Sequence, residues 1–559
     1  MNAIPHATRG FAGWRLARPT DRTILLAGCG LALALQLALV FSLAVNWDEF
    51  FFHSRSYQLI DGALASPFQS INARLFAWLA FLPGNEIAQI HVGRLVMLGC
   101  EMVVAACIAR CVAEFASRNT ALLAALLYLT GGFVFLHGFS FRFDPLAAAL
   151  LMCAFTLMLC HPLRIASVAG IALLIGLAGM VTIKSALYAP AFAGIALWRL
   201  REDSRQRRQF ARFAAIVLFS LVAFLALLAL HAATLPTSGE ANRALGAGFA
   251  SSAGHVFSEG FAPQGRYVVK QFLLAPVLMA TIAAAPVLIA RSTMEMRQRL
   301  ALLLMWSPIL LLAFYTNAFP YFYVFLLPPV VVAGSLVVAS LLKRYGALPV
   351  TVVLCGLTIV VFAQTRWESA ERQAEFVSQV HRVFPEPVAY IDFSSMIPSH
   401  RKQGFFMSGW GMKAYREAGD PVYAEILRQS VVPYVIANHV GLAAALEGRS
   451  SVDPLLDDDA RVLRENYIRH WGLLWVAGKR IAPEAKRIEI LVPGTYTVEG
   501  AGVTFAKGSY DPGDVVTLER GAYSVEVEAR SEATLRWGKD LYRPTSSPPT
   551  DMFDVFQDF

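Results

Sequence analysis

The chain has 559 residues, 56% of them hydrophobic and 16% charged, with a mean hydropathy of +0.51 and a formal net charge of +8. Soluble proteins carry about 25% charged residues, so this composition excludes an ordinary soluble domain and marks an integral membrane protein. Nucleic-acid binding is not needed to explain the basic excess: from Arg366 onward 22 Lys and Arg face 27 Asp and Glu, so the excess lies in the apolar part, where loop orientation accounts for it.

A basic tail, 1–22, precedes the first apolar run, "TILLAGCGLALALQLALVFSLAV" from Thr23 to Val45. At 1.5 Å per residue this run crosses a hydrocarbon core of roughly 30 Å. Many further apolar runs follow it, as they would not follow a cleaved signal peptide, so it is expected to be an uncleaved first helix. Spans are predicted at 89–110, 120–137, 145–160, 166–183, 185–198, 212–233, 268–290, 300–316, 320–341 and 347–364, about eleven helices in a transmembrane domain over 23–364. Arg9, Arg15, Arg18 and Arg22, then Arg110 and Arg118, Arg164, "RLREDSRQRR" (199–208), "RSTMEMRQR" (291–299), and Lys343 with Arg344 fall in alternate connections. By the positive-inside rule those connections and the N-terminus are cytoplasmic, in a cell (inner) membrane, and residues 365–559 are extracytoplasmic, that is, periplasmic where the cell has a periplasm.

That external part reads as mixed α/β over 365–480, with helices such as "KAYREAGDPVYAEILRQS". A β-rich region over 481–559 follows, whose alternating strands "RIEILVPGTYTVEG" and "GDVVTLERGAYSVEVEA" suggest a small β-sandwich. The acidic, Pro-rich tail after Tyr542 is expected to be loosely ordered. All seven cysteines lie in or beside the predicted spans, so the external part has no disulfide. No internal repeat, P-loop, GxSxG or CxxC occurs. With near-balanced charge and no catalytic constellation, this part is expected to contribute no catalytic group and to shape or steady the external loops of the membrane part.

Five polar stretches fall at the external ends of the predicted helices: "WDE" (47–49), opening the external loop 46–88; "FRFDP" (141–145); "TIKSALYAP" (182–190); "GRYVVKQF" (265–272); and "FYTNAFPYFYVFLLPP" (314–329). Each has a plain structural reading. Asp48 and Glu49 suit a solvated helix end, and Asp144 before Pro145 suits an N-cap with proline at the first helical position. Arg142, Lys184, Arg266 and Lys270 suit snorkelling cations, and Trp47 with the tyrosines suits an aromatic belt. His53, His91 and His137 lack metal-ligand spacing. Taken together, however, carboxylates able to accept a proton and cations able to neutralise a phosphate lie on one face of a helical bundle. That is the equipment for a reaction on a lipid-linked phosphate.

In the order and sidedness of these stretches, over roughly residues 20–345, the chain resembles the GT-C glycosyltransferases of the protein mannosyltransferase and aminoarabinose transferase group. The resemblance implies a polytopic α-helical membrane enzyme that takes a sugar from a polyprenyl phosphate and inverts the sugar carbon. Its acceptor would be an envelope glycolipid, polysaccharide or protein. Asp48 then matches the catalytic acidic residue, with Glu49 its neighbour; Arg142 and Asp144 match a second polar cluster, and Lys184 the lysine near the donor phosphate. Many members carry Arg-Tyr before the "LPP"-like segment. Here Pro320, Tyr321 and Tyr323 stand there, which passes the phosphate contact to Arg266 or Lys270.

Neither a metal nor another cofactor is demanded, because two or three cations can neutralise a monophosphate. Two alternatives stay open: a transporter or flippase of a lipid-linked or anionic solute, which would place charges near the bilayer midplane, and a polysaccharide polymerase or ligase.

Overall fold

A computed structural model describes residues 20–200, 206–236, 260–365, 368–528 and 530–556. The expected basic tail up to residue 19 and the centre of the 199–208 connection lie outside them. Each predicted apolar run contains helix, several of them broken within the run: α1 (Asp21–Ser42), α2 (Trp47–Ile60), α3 (Ile71–Phe76), α4 (Glu86–Val112), α5 (Arg118–Leu129), α6 (Phe133–His137), α7 (Phe143–Cys160), α8 (Ile165–Val181), α9 (Ala189–Arg199) and α10 (Gln206–Ala232) come first. Later helices cover Gly265–Leu274, Pro276–Arg291, Met296–Trp306, Phe322–Ala333, Ser335–Tyr345 and Ala347–Ala363.

By length and apolarity, five of the described helices can cross a membrane, or up to eight if each bent pair is one span. Gly265–Leu274 and Pro276–Arg291 meet at 111°. Ala275 joins them at φ −138°, ψ 61°, outside the helical region, as expected for a residue before proline. Phe322–Ala333 and Ser335–Tyr345 meet at 70° at Gly334.

Among the described residues, the C-terminal part starts with the helix Glu368–Val383 and contains twelve strands. They are β1 (Ala389–Ile391), β2 (Arg401–Gln403), β3 (Tyr434–Ile436), β4 (Tyr467–Trp471), β5 (Leu474–Ile481), β6 (Arg487–Ile490), β7 (Gly494–Gly500), β8 (Val503–Phe505), β9 (Gly508–Tyr510), β10 (Val515–Leu518), β11 (Gly521–Val527) and β12 (Ala533–Trp537). One sheet runs β10-β7-β12-β5-β3-β1-β2, with β4 also on β5; β1 is parallel to β2 and β3, whereas β5, β7, β10 and β12 pair antiparallel. A second sheet runs β6-β11-β8-β9. Ile481, Val498, Val516 and Leu535 of the first sheet share a core with Ile490, Val503, Phe505 and Val525 from the second. β5 belongs to both the mixed and the β-rich regions, so the two are joined through one sheet.

The tail after Tyr542 differs from expectation. Val555 and Phe556 are buried, Trp471 Nε1 donates to the Ser546 carbonyl (3.0 Å), and Gln373 Nε2 donates to the Val555 carbonyl (2.5 Å). Proline and acid content suggested disorder; two apolar side chains that reach a core are enough to dock the segment. That core is continuous across the chain, combining Val45, Phe50 and Ile90 with Phe376, Tyr390 and Phe556.

Candidate active site

The site is built around α2. Asn46 caps it, accepting from Asp48 N at 3.0 Å, while the Glu49 carboxylate accepts from Asn46 N at 2.9 Å, a reciprocal box that fixes the first turn. Residues three, four and seven apart share a helix face, and α2 has three faces in use. Glu49 and His53 meet α4. Trp47, Phe50 and Phe51 meet the C-terminal part. Asp48 and Phe52 meet the N-terminus of α7.

On the last face, Asp48 Oδ2 pairs with Arg142 Nη1. Arg142 Nε lies 3.5 Å from Asp144 Oδ2, and Asp144 Oδ1 accepts from Lys184 Nζ at 3.0 Å. The result is a row of alternating charge, Asp48–Arg142–Asp144–Lys184. Its middle is closed, with the Arg142 and Asp144 side chains each 6% exposed, while its ends, Asp48 at 16% and Lys184 at 20%, stay open. The Arg142 guanidinium lies 3.4 Å from the Tyr321 ring centroid and 5.6 Å from that of Phe52, close enough for cation–π attraction on both sides.

The supporting backbone explains these positions. Arg142, not Asp144, is the N-cap of α7; Asp144 sits in the first turn and spends its carboxylate on cations, so the expected N-cap role fails. Lys184 lies on the 3-10 turn Ile183–Tyr188, where Gln69 Oε1 accepts from Thr182 Oγ1 (3.3 Å) and Ile183 N (3.4 Å).

Glu49 does not stand beside Asp48 in the row. It is 1% exposed and receives Arg94 Nε at 2.8 Å, Arg94 Nη2 at 2.6 Å and Phe141 N at 2.7 Å. Consecutive residues diverge by about 100° around a helix, so one acid faces the row and the other α4. Arg94 also donates to the carbonyls of Val40 (3.0 Å), Leu43 (2.7 Å) and Ala44 (3.0 Å), closing the C-terminal end of α1. Gly93 makes this approach possible: a Cβ there would meet Phe141 Cδ2 at 2.4 Å.

Arg266 and Lys270 share a face of Gly265–Leu274 but are not in the row. Arg266 stacks 4.6 Å from the Tyr267 ring centroid, and Lys270 Nζ lies 5.9 Å from that of Phe133. Rings join this pair to the row: Tyr267–Phe319 and Phe319–Tyr321, each at 5.9 Å. Tyr323 lies in a packed position away from the row. Already inside the helix, it is fully buried, 5.1 Å from Phe133, with no hydrogen-bond partner for its hydroxyl among the described residues. Trp47, expected in an aromatic belt, packs on Phe393 (5.6 Å) and Phe556 (5.9 Å).

Two cations were missed by sequence reasoning. Arg94 interrupts an apolar run, a pattern that marks a buried functional or structural charge. Arg55, two turns beyond Asp48 on the same face, has a buried Nε and no ion pair or hydrogen bond among the described residues. Nearby Arg74 donates from Nε to His231 Nδ1 at 3.5 Å, and both guanidiniums act on that ring. Among the described residues no three His, Cys, Asp or Glu side chains gather as a metal site, and Arg142 already fills the space between the carboxylates of Asp48 and Asp144.

No protein-family model matches the chain, nor does any curated protein sequence. Solved structures do. ArnT from Cupriavidus metallidurans bound to undecaprenyl phosphate aligns with 76% of this chain and 95% of its own, at 14% identity and a TM-score of 0.53. Its apo state aligns with 75% and 94%, at 14% identity and a TM-score of 0.51. An oligosaccharyltransferase from Archaeoglobus fulgidus in the apo form aligns with 95% of this chain and 98% of its own, at 10% identity and a TM-score of 0.53. At these identities the likeness is one of fold, and the chain shares the fold of these structures.

Proposed function

We propose that this protein is a membrane glycosyltransferase that moves a sugar from a polyprenyl-phosphate donor to an envelope glycolipid, polysaccharide or protein acceptor, on the extracytoplasmic side and with inversion. The observation that carries the reading is the charged row closed in its middle and open at Asp48 and Lys184. In a single displacement, Asp48 accepts the acceptor's hydroxyl proton as that oxygen attacks the anomeric carbon. The bond from that carbon to the phosphate oxygen breaks, and its electron pair leaves on polyprenyl phosphate. Lys184 and Arg142 offset the charge that grows there. Arg55, which has no counter-ion among the described residues, is a further contact for this phosphate, with Arg266 and Lys270 at the next aromatic layer.

Support for the sidedness comes from the Lys and Arg of alternate connections, which by the positive-inside rule favour a cytoplasmic N-terminus and an external C-terminal part. A titratable midspan group is what a transport reading would use, and Glu101 on α4 is one. Gln36 Nε2 donates to both its oxygens, at 2.9 and 3.0 Å, and a Cβ on Gly138 would meet its carboxylate at 2.2 Å, so the group is already closely packed by protein. Mass spectrometry of envelope glycolipids and polysaccharides with and without the protein tests the proposal. Loss of one sugar substituent is expected; an unchanged glycan profile with an altered distribution of lipid-linked precursor across the membrane would support transport instead. Activity with a single-sugar donor separates a transferase from a polymerase or ligase.

A further inference from the structure

The proposed function leaves unexplained why α2, a helix of the membrane part, is gripped so closely by the C-terminal part. The grip starts before the helix. Gln373 Oε1 accepts from Val45 N, and Gln373 Nε2 donates to the Val45 carbonyl, both at 2.8 Å, so one side chain holds both backbone groups of a connector residue. It continues through rings: Phe51 stacks on Phe406 at 4.4 Å and 12°, Trp47 packs on Phe393 at 5.6 Å, and Phe556 lies 5.9 Å from Trp47 and 6.2 Å from Phe50. Phe393 touches both Phe406 (5.5 Å) and Phe556 (6.1 Å), which makes one aromatic assembly from three separate segments.

The helical period gives this grip its consequence. Trp47, Phe50 and Phe51 form one stripe, and Asp48 and Phe52 lie on the neighbouring one. Any rotation of α2 that relaxes the aromatic stripe therefore swings Asp48 along the row. Arg142 is shared with Asp144, and Glu49 ties another face of α2 to α4 through Arg94, so the aromatic stripe sets the rotation together with that pair.

We propose that the C-terminal part is the positioning device for the proton acceptor. Phe406, Phe393 and Phe556 are positioning residues that act through Trp47, Phe50 and Phe51 to set the rotation of α2 and so the aim of Asp48. This rests on the reading of Asp48 as the proton acceptor.

The test uses the full chain in lipid nanodiscs, with undecaprenyl phosphate as the binding probe. Turnover is followed as transfer of labelled hexose from undecaprenyl-phosphate hexose to envelope glycolipid. Phe406→Ala and Phe556→Ala are each expected to lower kcat by about 10- to 100-fold, the scale of a small misplacement of a reacting group. KM for the donor and affinity for undecaprenyl phosphate stay near wild type. Phe406→Tyr, which keeps the stacked ring, restores kcat. Phe406→Leu keeps apolar volume without stacking and carries the test should the alanine variant fail to fold; its kcat also falls. Wild-type kcat in these folded variants, or a loss carried by KM alone, overturns the positioning role. The two readings fail separately: an active Asp48→Asn protein removes the proton acceptor, whereas an inactive Asp48→Asn with fully active Phe406 variants removes only the clamp.

Discussion

Replacing Arg94 by Met leaves the Glu49 carboxylate charged in a place where its side chain is 1% exposed, and strips donors from the carbonyls of Val40, Leu43 and Ala44. Removing one partner of a buried ion pair costs about 3–5 kcal/mol, mostly for the uncompensated charge. With about 2.1 cal/mol/K of unfolding entropy per residue, a chain of 559 residues has close to 1.2 kcal/mol/K, and the thermal midpoint falls by about 3 to 4 °C. Unfolding of a large membrane protein is usually irreversible, so wild type and variant are compared at one scan rate in the same detergent. Arg94→Met/Glu49→Gln removes both charges while the Gln oxygen still accepts from Phe141 N, and it is expected to unfold later than Arg94→Met. A midpoint for Arg94→Met equal to wild type, or a double variant less stable than the single one, refutes the view that this pair holds α2 to α4.

Lys184→Ala and Arg142→Ala are each expected to weaken donor binding by about 1.5–3 kcal/mol, one charge-assisted contact; unchanged titrations with undecaprenyl phosphate would place the phosphate elsewhere. Tyr321→Phe keeps the ring face on Arg142 and is expected to retain most activity, while Tyr321→Leu loses a desolvated cation–π contact of about 2 kcal/mol; equal rates for the two would show that the face is not used. Among the described residues, one ion pair joins the C-terminal part to the membrane part: His381 Nε2 lies 3.0 Å from Glu86 Oε2, with Ser399 donating to Oε1 and the His400 ring 5.4 Å away. The hydrogen bond to Glu86 raises the His381 pKa above its ordinary 6.5 despite burial. Its docking contribution is therefore complete below about pH 6.5 and is lost as pH rises through the raised value. Thermal stability of His381→Gln should lose that alkaline fall, and an identical pH profile in the variant would contradict it.

The row Asp48–Arg142–Asp144–Lys184 was legible because each member sits at the end of an apolar run, where a charge stands out against its neighbours and alternate run ends can be grouped together. Arg94 was hidden by the same logic: within an apolar helix it looks like any snorkelling cation until Glu49 is seen beneath it. The division of labour between Asp48 and Glu49 depends on which neighbour each meets, a property of packing and not of composition. Tyr323 and Tyr321 differ by two residues, but one precedes a helix and the other is turned into its core. The tail after Tyr542 was misjudged because composition averages over a segment, whereas the few residues that dock it, the buried Val555 and Phe556 among them, do not show in the average.

Asp48→Asn is the most direct measurement. The substitution keeps the size and most of the hydrogen bonding of the side chain but removes the proton acceptor, a change that costs about 10² to 10⁴ in rate. In nanodiscs supplied with labelled undecaprenyl-phosphate hexose and envelope acceptor, Asp48→Asn is expected to bind undecaprenyl phosphate as wild type does and to transfer almost no sugar, while Glu49→Gln, if folded, transfers measurably more. Sugar transfer by Asp48→Asn at the wild-type rate would contradict the account and leave Asp48 as one end of a structural ion pair.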